Sequence, residues 1–253
     1  MKRPQVVNRA ATRRAAERRI YGVHPVVEWL RTCPAHVHAV HCDRRAVERV
    51  DDLARLARAG GVPLHVIEAE ALAALVGHGR HQGVVATTAE FPYVDVAQVA
   101  AATPRLVLVA DQVQDPQNLG ALIRTAAAVD AGAVVIPRDG ATAVTPAVEM
   151  AAAGGTALVR ICRVTNTARA LDQLKRTGLW IAALMPRGGT DLYRLDPPER
   201  LVLVVGGEAG MRPLVARHCD LAVSIRMWGA VESLNVSVAA AVALYEVRRR
   251  WDA

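Results

Sequence analysis

From residue 106 onward, short uninterrupted apolar runs alternate with stretches of helical spacing. The runs at 106–110 (LVLVA), 133–136, 179–184 and 201–205 predict strands covered on both faces, as in a parallel sheet. Helical spacing fills 119–129, 145–153 and 167–176 between them. A last strand at 221–225 precedes a helix from about 231 to 249, in which Leu234, Val238, Val242 and Tyr245 share a face. So apolar a helix calls for a large packing partner, another subunit among the candidates.

The first ninety residues repeat the alternation on a smaller scale. A helix start at 24–30, a strand at 37–42 (VHAVHC) and a helix over 47–59 come first. In that helix Val47, Val50, Leu53, Ala54 and Ala57 fall at helical spacing, and Gly60-Gly61 ends it. A strand at 64–67, a short helix at 69–76 and a strand at 83–88 complete the unit. Residues 91–104 (FPYVDVAQVAAATP) have a proline near each end and little periodicity, and read as a linker. The pattern thus predicts an α/β protein divided into a 1–19 tail, a 20–90 domain, the 91–104 linker and a 105–253 domain.

Composition narrows the class. Of 253 residues, 52% are hydrophobic and 22% charged, which excludes a mostly disordered chain. No uncharged apolar run reaches the roughly 18 residues of a membrane span, and the arginine-rich start has no apolar h-region of a secretory signal. A cytoplasmic protein with no membrane partner is therefore expected. Cys33, Cys42, Cys162 and Cys219 are scattered, which suits a reducing compartment and gives no metal-ligand spacing; no metal is expected.

The net charge of +7 is unevenly placed. Residues 1–19 hold seven basic side chains against Glu17 alone; residues 20–104 hold seven basic and nine acidic, and 105–253 hold 17 and 14. A basic arm on a near-neutral body suits a polyanion such as RNA; a merely solvated tail has the same composition.

Three polar segments follow apolar strands. In DQVQDPQNLGALIRT (111–125), Asn118 is a candidate N-cap, and Arg124 lies nearly two turns further on, so both can face the carboxyl end of the sheet. A cap with a surface arginine fits equally. In VVGGEAGMRP (204–213), Gly206, Gly207 and Gly210 around Glu208 fit a phosphate or nucleotide cradle, or a plain tight turn; the G-x-G-x-x-G spacing of a dinucleotide site is absent. In SIRMWGAVESLNVS (224–237), Glu232, Ser233 and Asn235 cluster where the last helix should start. Each segment alone is weak, but their order is distinctive.

Taken together, DPQNLGALIRTA (115–126), LVVGGEAGMR (203–212), IRM (225–227) and SLNVSVAAA (233–241) resemble the SpoU (TrmH-type) branch of the SPOUT methyltransferases. RIYGVHPVVEWL (19–30) and HQGVVA (81–86) resemble that family's small RNA-binding domain, similar in fold to ribosomal proteins L30e and L7Ae. The resemblance implies a trefoil-knotted parallel-sheet domain and S-adenosylmethionine as cofactor. The implied reaction is methylation of a ribose 2'-hydroxyl in RNA, with a guanosine of 23S rRNA as the closest match, by a homodimer joined through the C-terminal domain. It carries Asn118, Arg124, Glu208, Ser233 and Asn235 over as catalytic positions. Gly206, Gly207, Ile225, Met227 and Leu234 stand as cofactor contacts, largely through backbone groups. The glycine loop is one residue shorter than the usual Gly-x-Glu-Gly-x-Gly, and Arg226 replaces a common proline. Methylation of another rRNA or tRNA nucleotide, resistance methylation, and a non-catalytic RNA scaffold remain open readings of the sequence.

Overall fold

The smaller sheet comes first in the computed structural model, which describes residues 17–77 and 79–252. Its elements are β1 (Arg18–Tyr21), α1 (Val23–Thr32), β2 (Val37–Cys42), α2 (Arg44–Arg49), α3 (Asp51–Ala59), β3 (Leu64–Val66), α4 (Ala69–Val76) and β4 (Val84–Thr88). The strand order is β1-β4-β2-β3, with β4 antiparallel to β1 and β2, and β2 parallel to β3. Ile20, Val40, Val84 and Ala86 meet Trp29 and Leu30 of α1 and Leu53 and Ala57 of α3 in one core.

The single helix expected over 47–59 is two. Asp43 caps α2 by accepting from the Ala46 N–H at 2.6 Å, and the backbone leaves helical geometry at Val50. Asp51 and Asp52 then open α3, where acidic groups complement the positive end of the helix dipole. Of the arm expected over 1–19, residues 1–16 lie outside the described residues, while Arg18 and Arg19 belong to β1. The stretch expected as a linker carries α5 (Val96–Ala101), closed by an Asp95–Gln98 capping box, with Val96 and Val99 buried against the larger body. Six residues are too few to show a period.

The larger sheet is built from β5 (Leu106–Asp111), α6 (Pro116–Ala128), β6 (Ala133–Pro137), α7 (Pro146–Ala152), α8 (Gly155–Leu158), β7 (Arg160–Val164), α9 (Thr167–Lys175), β8 (Trp180–Met185), β9 (Thr190–Asp191), β10 (Leu201–Gly206), α10 (Pro213–Arg217), β11 (Leu221–Ser224) and α11 (Val236–Trp251). Seven strands lie in the order β7-β6-β5-β10-β8-β11-β9, every pairing parallel. Leu106, Leu108 and Leu203 pack on α6 and α11 on one face; Val107, Val109, Val202 and Val204 pack on α5 and α9 on the other. This two-sided burial is why the strands read as continuous apolar runs. The chain leaves β5 for β6 on one side and returns to place β10 on the other. That switch opens a crevice at the carboxyl ends.

In the larger sheet, two strands escaped the apolar pattern, as β1 did in the smaller one. In β7, Arg160 and Arg163 point outward at the sheet edge, and β9 has only two residues. The last helix starts at Val236 rather than 231, because Asn235 is its N-cap and 226–235 is a loop.

A buried polar cluster joins the two sheets. Glu149 of α7, fully buried, accepts hydrogen bonds from the Arg18 guanidinium, the Thr156 hydroxyl and, at 3.3 Å, the Trp29 indole N–H. The Arg18 guanidinium also lies 5.1 Å from the Phe91 ring centre. Arg18 is thus a structural pin at the junction rather than part of a solvated tail.

Candidate active site

The loops at the carboxyl ends of β5, β8, β10 and β11 enclose a cavity of about 630 Å³. Asn118, Gly206, Gly207, Glu208, Ile225, Met227, Ser233, Leu234 and Asn235 line it, so nine of the ten residues singled out from the sequence meet there. Leu184, Met185 and Pro186 add an apolar wall at the end of β8. The apolar run in the sequence marks Leu184 as strand core and gives Met185 and Pro186 no role; the strand's place next to β10 is what exposes all three to the cavity.

Helix α6 begins beside the cavity because Asp115 caps it and Pro116 occupies its first turn. The Asp115 carboxylate accepts from the backbone N–H groups of Gln117 at 3.0 Å and Asn118 at 3.3 Å. Asn118, expected as the cap, sits two positions beyond that proline instead. Its side chain is therefore free to point at the cavity, where its Oδ1 accepts from Asn235 Nδ2 at 3.0 Å. Asn235 works in two directions. Its Oδ1 accepts from the Ser237 N–H at 2.9 Å and the Ser237 hydroxyl at 2.6 Å, starting α11, while its amide ties this loop to α6. Ser233 lies in the loop and caps nothing.

The glycine loop has a steric reason for its composition. A Cβ on Gly207 would run into the Gln112 carbonyl oxygen, and one on Gly206 into the Met211 backbone nitrogen. Gly207 donates to the Asp111 carbonyl at 2.8 Å, and Gly210 donates back to Gly207 at 2.8 Å, making a tight turn that projects Glu208 outward. The turn is anchored from below. Fully buried Asp111 accepts from the Arg212 backbone N–H and Nε, each at 3.0 Å, and from its Nη2, which also reaches the Thr167 hydroxyl at 2.7 Å. Neither Asp111 nor Arg212 stood out in the sequence as a pair, since 101 positions separate them.

Arg124 is the exception among the ten. It is exposed on α6, outside the cavity lining, and no hydrogen bond or ion pair engages its guanidinium among the described residues. Its backbone packs on Gly155, where an added Cβ would lie 3.1 Å from Arg124 Cα. The spacing allows it to face the carboxyl end of the sheet with Asn118, but the nearly two helical turns between them carry it past the cavity lining.

The order of these loops around one crevice matches a known family. The model of the SpoU rRNA Methylase family matches residues 105–245, and that for RNA 2'-O ribose methyltransferase substrate binding matches 19–94. The chain belongs to the SpoU rRNA methylase family. Among its relatives, the 23S rRNA (guanosine-2'-O-)-methyltransferase RlmB of Pseudomonas putida is 38% identical over 92% of this chain and 96% of that protein. The RlmB of Pseudomonas syringae pv. tomato is 39% identical over 93% and 96%. In fold, the SpoU methyltransferase AviRb of Streptomyces viridochromogenes, solved in complex with AdoMet, superposes with a TM-score of 0.80 at 24% identity, covering 97% of this chain and 94% of that one. The three polar segments that follow β5, β10 and β11 frame the cavity, and the Asp111–Arg212 pair braces the first two in register. Among the described residues no group of three His, Cys, Asp or Glu side chains is placed to hold a metal ion.

Two cysteines near the sheet are chemically quiet. Burial pushes the Cys162 thiol up to about 12 and the Cys219 thiol up to about 11, with Asp95 and Asp220 adding to the respective shifts. Both stay protonated at neutral pH and pack as small apolar groups.

Proposed function

We propose that this chain methylates a guanosine ribose 2'-hydroxyl in 23S rRNA, using S-adenosylmethionine, in the bacterial cytoplasm. The observation that carries the reading is the convergence of Asn118, Glu208, Ser233 and Asn235 on one largely apolar cavity at the sheet's switch point. The named activity of relatives about 38% identical over nearly the whole chain supports the substrate.

The cavity suits the cofactor. Its apolar side, Leu184, Met185, Ile225, Met227 and Leu234, fits an adenine ring and a thioether, and the bare backbone of Gly206 and Gly207 lets a ligand approach closely. S-adenosylmethionine supplies a methyl on a sulfonium, released as a neutral thioether when the ribose oxygen takes the methyl and its proton passes to solvent. What the protein must add is placement. Asn118 and Asn235, already hydrogen-bonded to each other, hold the ribose at the cavity edge with Ser233 and Glu208 around it. Arg124 carries a guanidinium, which has N–H donors and no acceptor, so it serves as a cation for the developing alkoxide or an adjacent phosphate rather than as a base. Its exposed, unengaged position leaves it available to bound RNA.

Residues 20–90 and the basic arm hold the RNA, and the C-terminal body forms a homodimer. The dimer reading is supported by Val238 and Tyr245, 48% and 56% exposed on α11. A trefoil knot belongs to the same reading, supported by the 226–235 loop running back from β11 to reach Asn118. Incubating the protein with unmodified 23S rRNA transcript and labelled S-adenosylmethionine, then mapping the methyl by nucleoside mass spectrometry, tests the reading. The expected product is 2'-O-methylguanosine; no incorporation, or methyl on another nucleoside, would overturn it.

A further inference from the structure

A second cavity, of about 410 Å³, adjoins the first and shares Asn118, Gly207, Glu208 and Val236 with it. Group transfer needs donor and acceptor in contact, so two cavities with a common wall at the reacting groups invite one ligand each. The second cavity differs in chemistry from the first. Beyond the shared wall it is lined by Gln112, Val113, Gln114, Asp115 and Ala209, with no lysine or arginine among its lining.

Resting on the activity proposed above, we infer that this second cavity receives the target nucleoside itself, and that Gln112 and Gln114 read its base. The charge pattern decides which part of the RNA enters. Two carboxylates and no cation disfavour a phosphate, so the phosphodiester stays outside and the base and ribose go in. The same carboxylates and the neutral carboxamides favour an edge rich in N–H donors, which guanine presents through N1 and its 2-amino group and adenine does not. The volume falls within the range of small-ligand clefts and accommodates a nucleoside.

The loop bearing both glutamines is held for such a role. Gln112 has φ +57°, a conformation a non-glycine residue adopts at a cost, and sites that bind ligands are where such strain persists. The loop is pinned on both sides. The Thr142 N–H donates to the Val113 carbonyl at 3.0 Å, and the Gly207 N–H to the Asp111 carbonyl at 2.8 Å. The side chains are nonetheless unspent: neither carboxamide has a hydrogen-bond partner among the described residues.

The test compares wild type, Gln112→Leu and Gln114→Leu on unmodified 23S rRNA transcript, with thermal melting as the control for folding and a calorimetric titration of S-adenosylmethionine alongside. Gln114 is exposed, so its variant folds even if the strained Gln112 position does not tolerate change. Each substitution is expected to lower kcat/KM for RNA by roughly tenfold or more, the worth of a lost buried hydrogen bond, with cofactor affinity within about twofold of wild type. Unchanged kcat/KM in both variants would overturn the inference, as would a cofactor affinity that falls in step with the rate. An inactive wild type that still binds the cofactor would strike the proposed activity itself, and this inference with it.

Discussion

Two fully buried carboxylates, Asp111 and Glu149, each clamp an arginine more than a hundred positions away, yet they hold different things together. Asp111 lies at the carboxyl end of β5 and braces the glycine loop through Arg212. Glu149 lies on α7 and pins the smaller sheet to the larger through Arg18. Asp111 therefore governs the geometry of the cavity, and Glu149 the placement of the domain beside it. Near-identical physics at two places gives one element of the site and one of the architecture. What separates them is where the arginine comes from: Arg212 from the loop after β10, Arg18 from strand β1 of the smaller sheet.

Variants of each partner separate the two roles. Replacing Asp111 with Ala leaves the partly exposed Arg212 guanidinium without its partner, which costs about 1.5–3 kcal/mol, and frees the glycine loop. Urea denaturation should show that loss, and calorimetry should show cofactor binding lost with it. Arg124→Ala touches neither clamp. It should leave the urea midpoint and cofactor affinity alone while methyl transfer in a single-turnover assay falls by roughly 10²–10³-fold, the worth of a lost charge-stabilising donor; normal turnover would remove Arg124 from the site.

Glu149→Ala is the matching break at the junction. A stability loss of a few kcal/mol is expected in the same denaturation, but here S-adenosylmethionine should still bind at wild-type affinity, and the KM for RNA should rise. Loss of cofactor affinity in this variant would merge the two regions into one. Removing residues 1–16, which carry Lys2, Arg3, Arg9, Arg13 and Arg14, should flatten the dependence of RNA affinity on salt and leave both clamps intact.

The smallest effect lies outside both clamps. Hydrogen bonds from Arg249 and Arg250 hold the Glu246 carboxyl down to about 2, well below its usual value. Because the folded pKa is depressed, its stabilisation is complete above about pH 4.5 and disappears as pH falls through 2. Glu246→Gln should cost under about 1 kcal/mol at pH 7, and the difference from wild type in thermal melting should close across that acid range.

Much of the larger sheet was legible because β5, β6, β8 and β10 are covered on both faces, which writes burial directly into the sequence. The edge strand β7 was not, since exposed Arg160 and Arg163 flank its two buried residues, and two-residue β9 has no period at all. At the site, polar groups after apolar strands made the three loops conspicuous, and the resemblance to the SpoU family singled out Asn118, Glu208, Ser233 and Asn235 within them. The contribution of Leu184, Met185 and Pro186 was invisible, since an apolar wall and an apolar core are written alike. The capping role fell to Asp115 rather than Asn118 because Pro116 fixes where α6 begins. Both carboxylate clamps depend on contacts between distant segments, for which no local pattern exists.

A titration of S-adenosylmethionine into wild type and Gly207→Ala bears most directly on the claim that the glycine loop and its neighbours form a cofactor cavity. The account predicts binding by the wild type and its loss in the variant, whose added Cβ collides with the Gln112 carbonyl oxygen. Equal binding by both proteins, or no binding by the wild type, would contradict it.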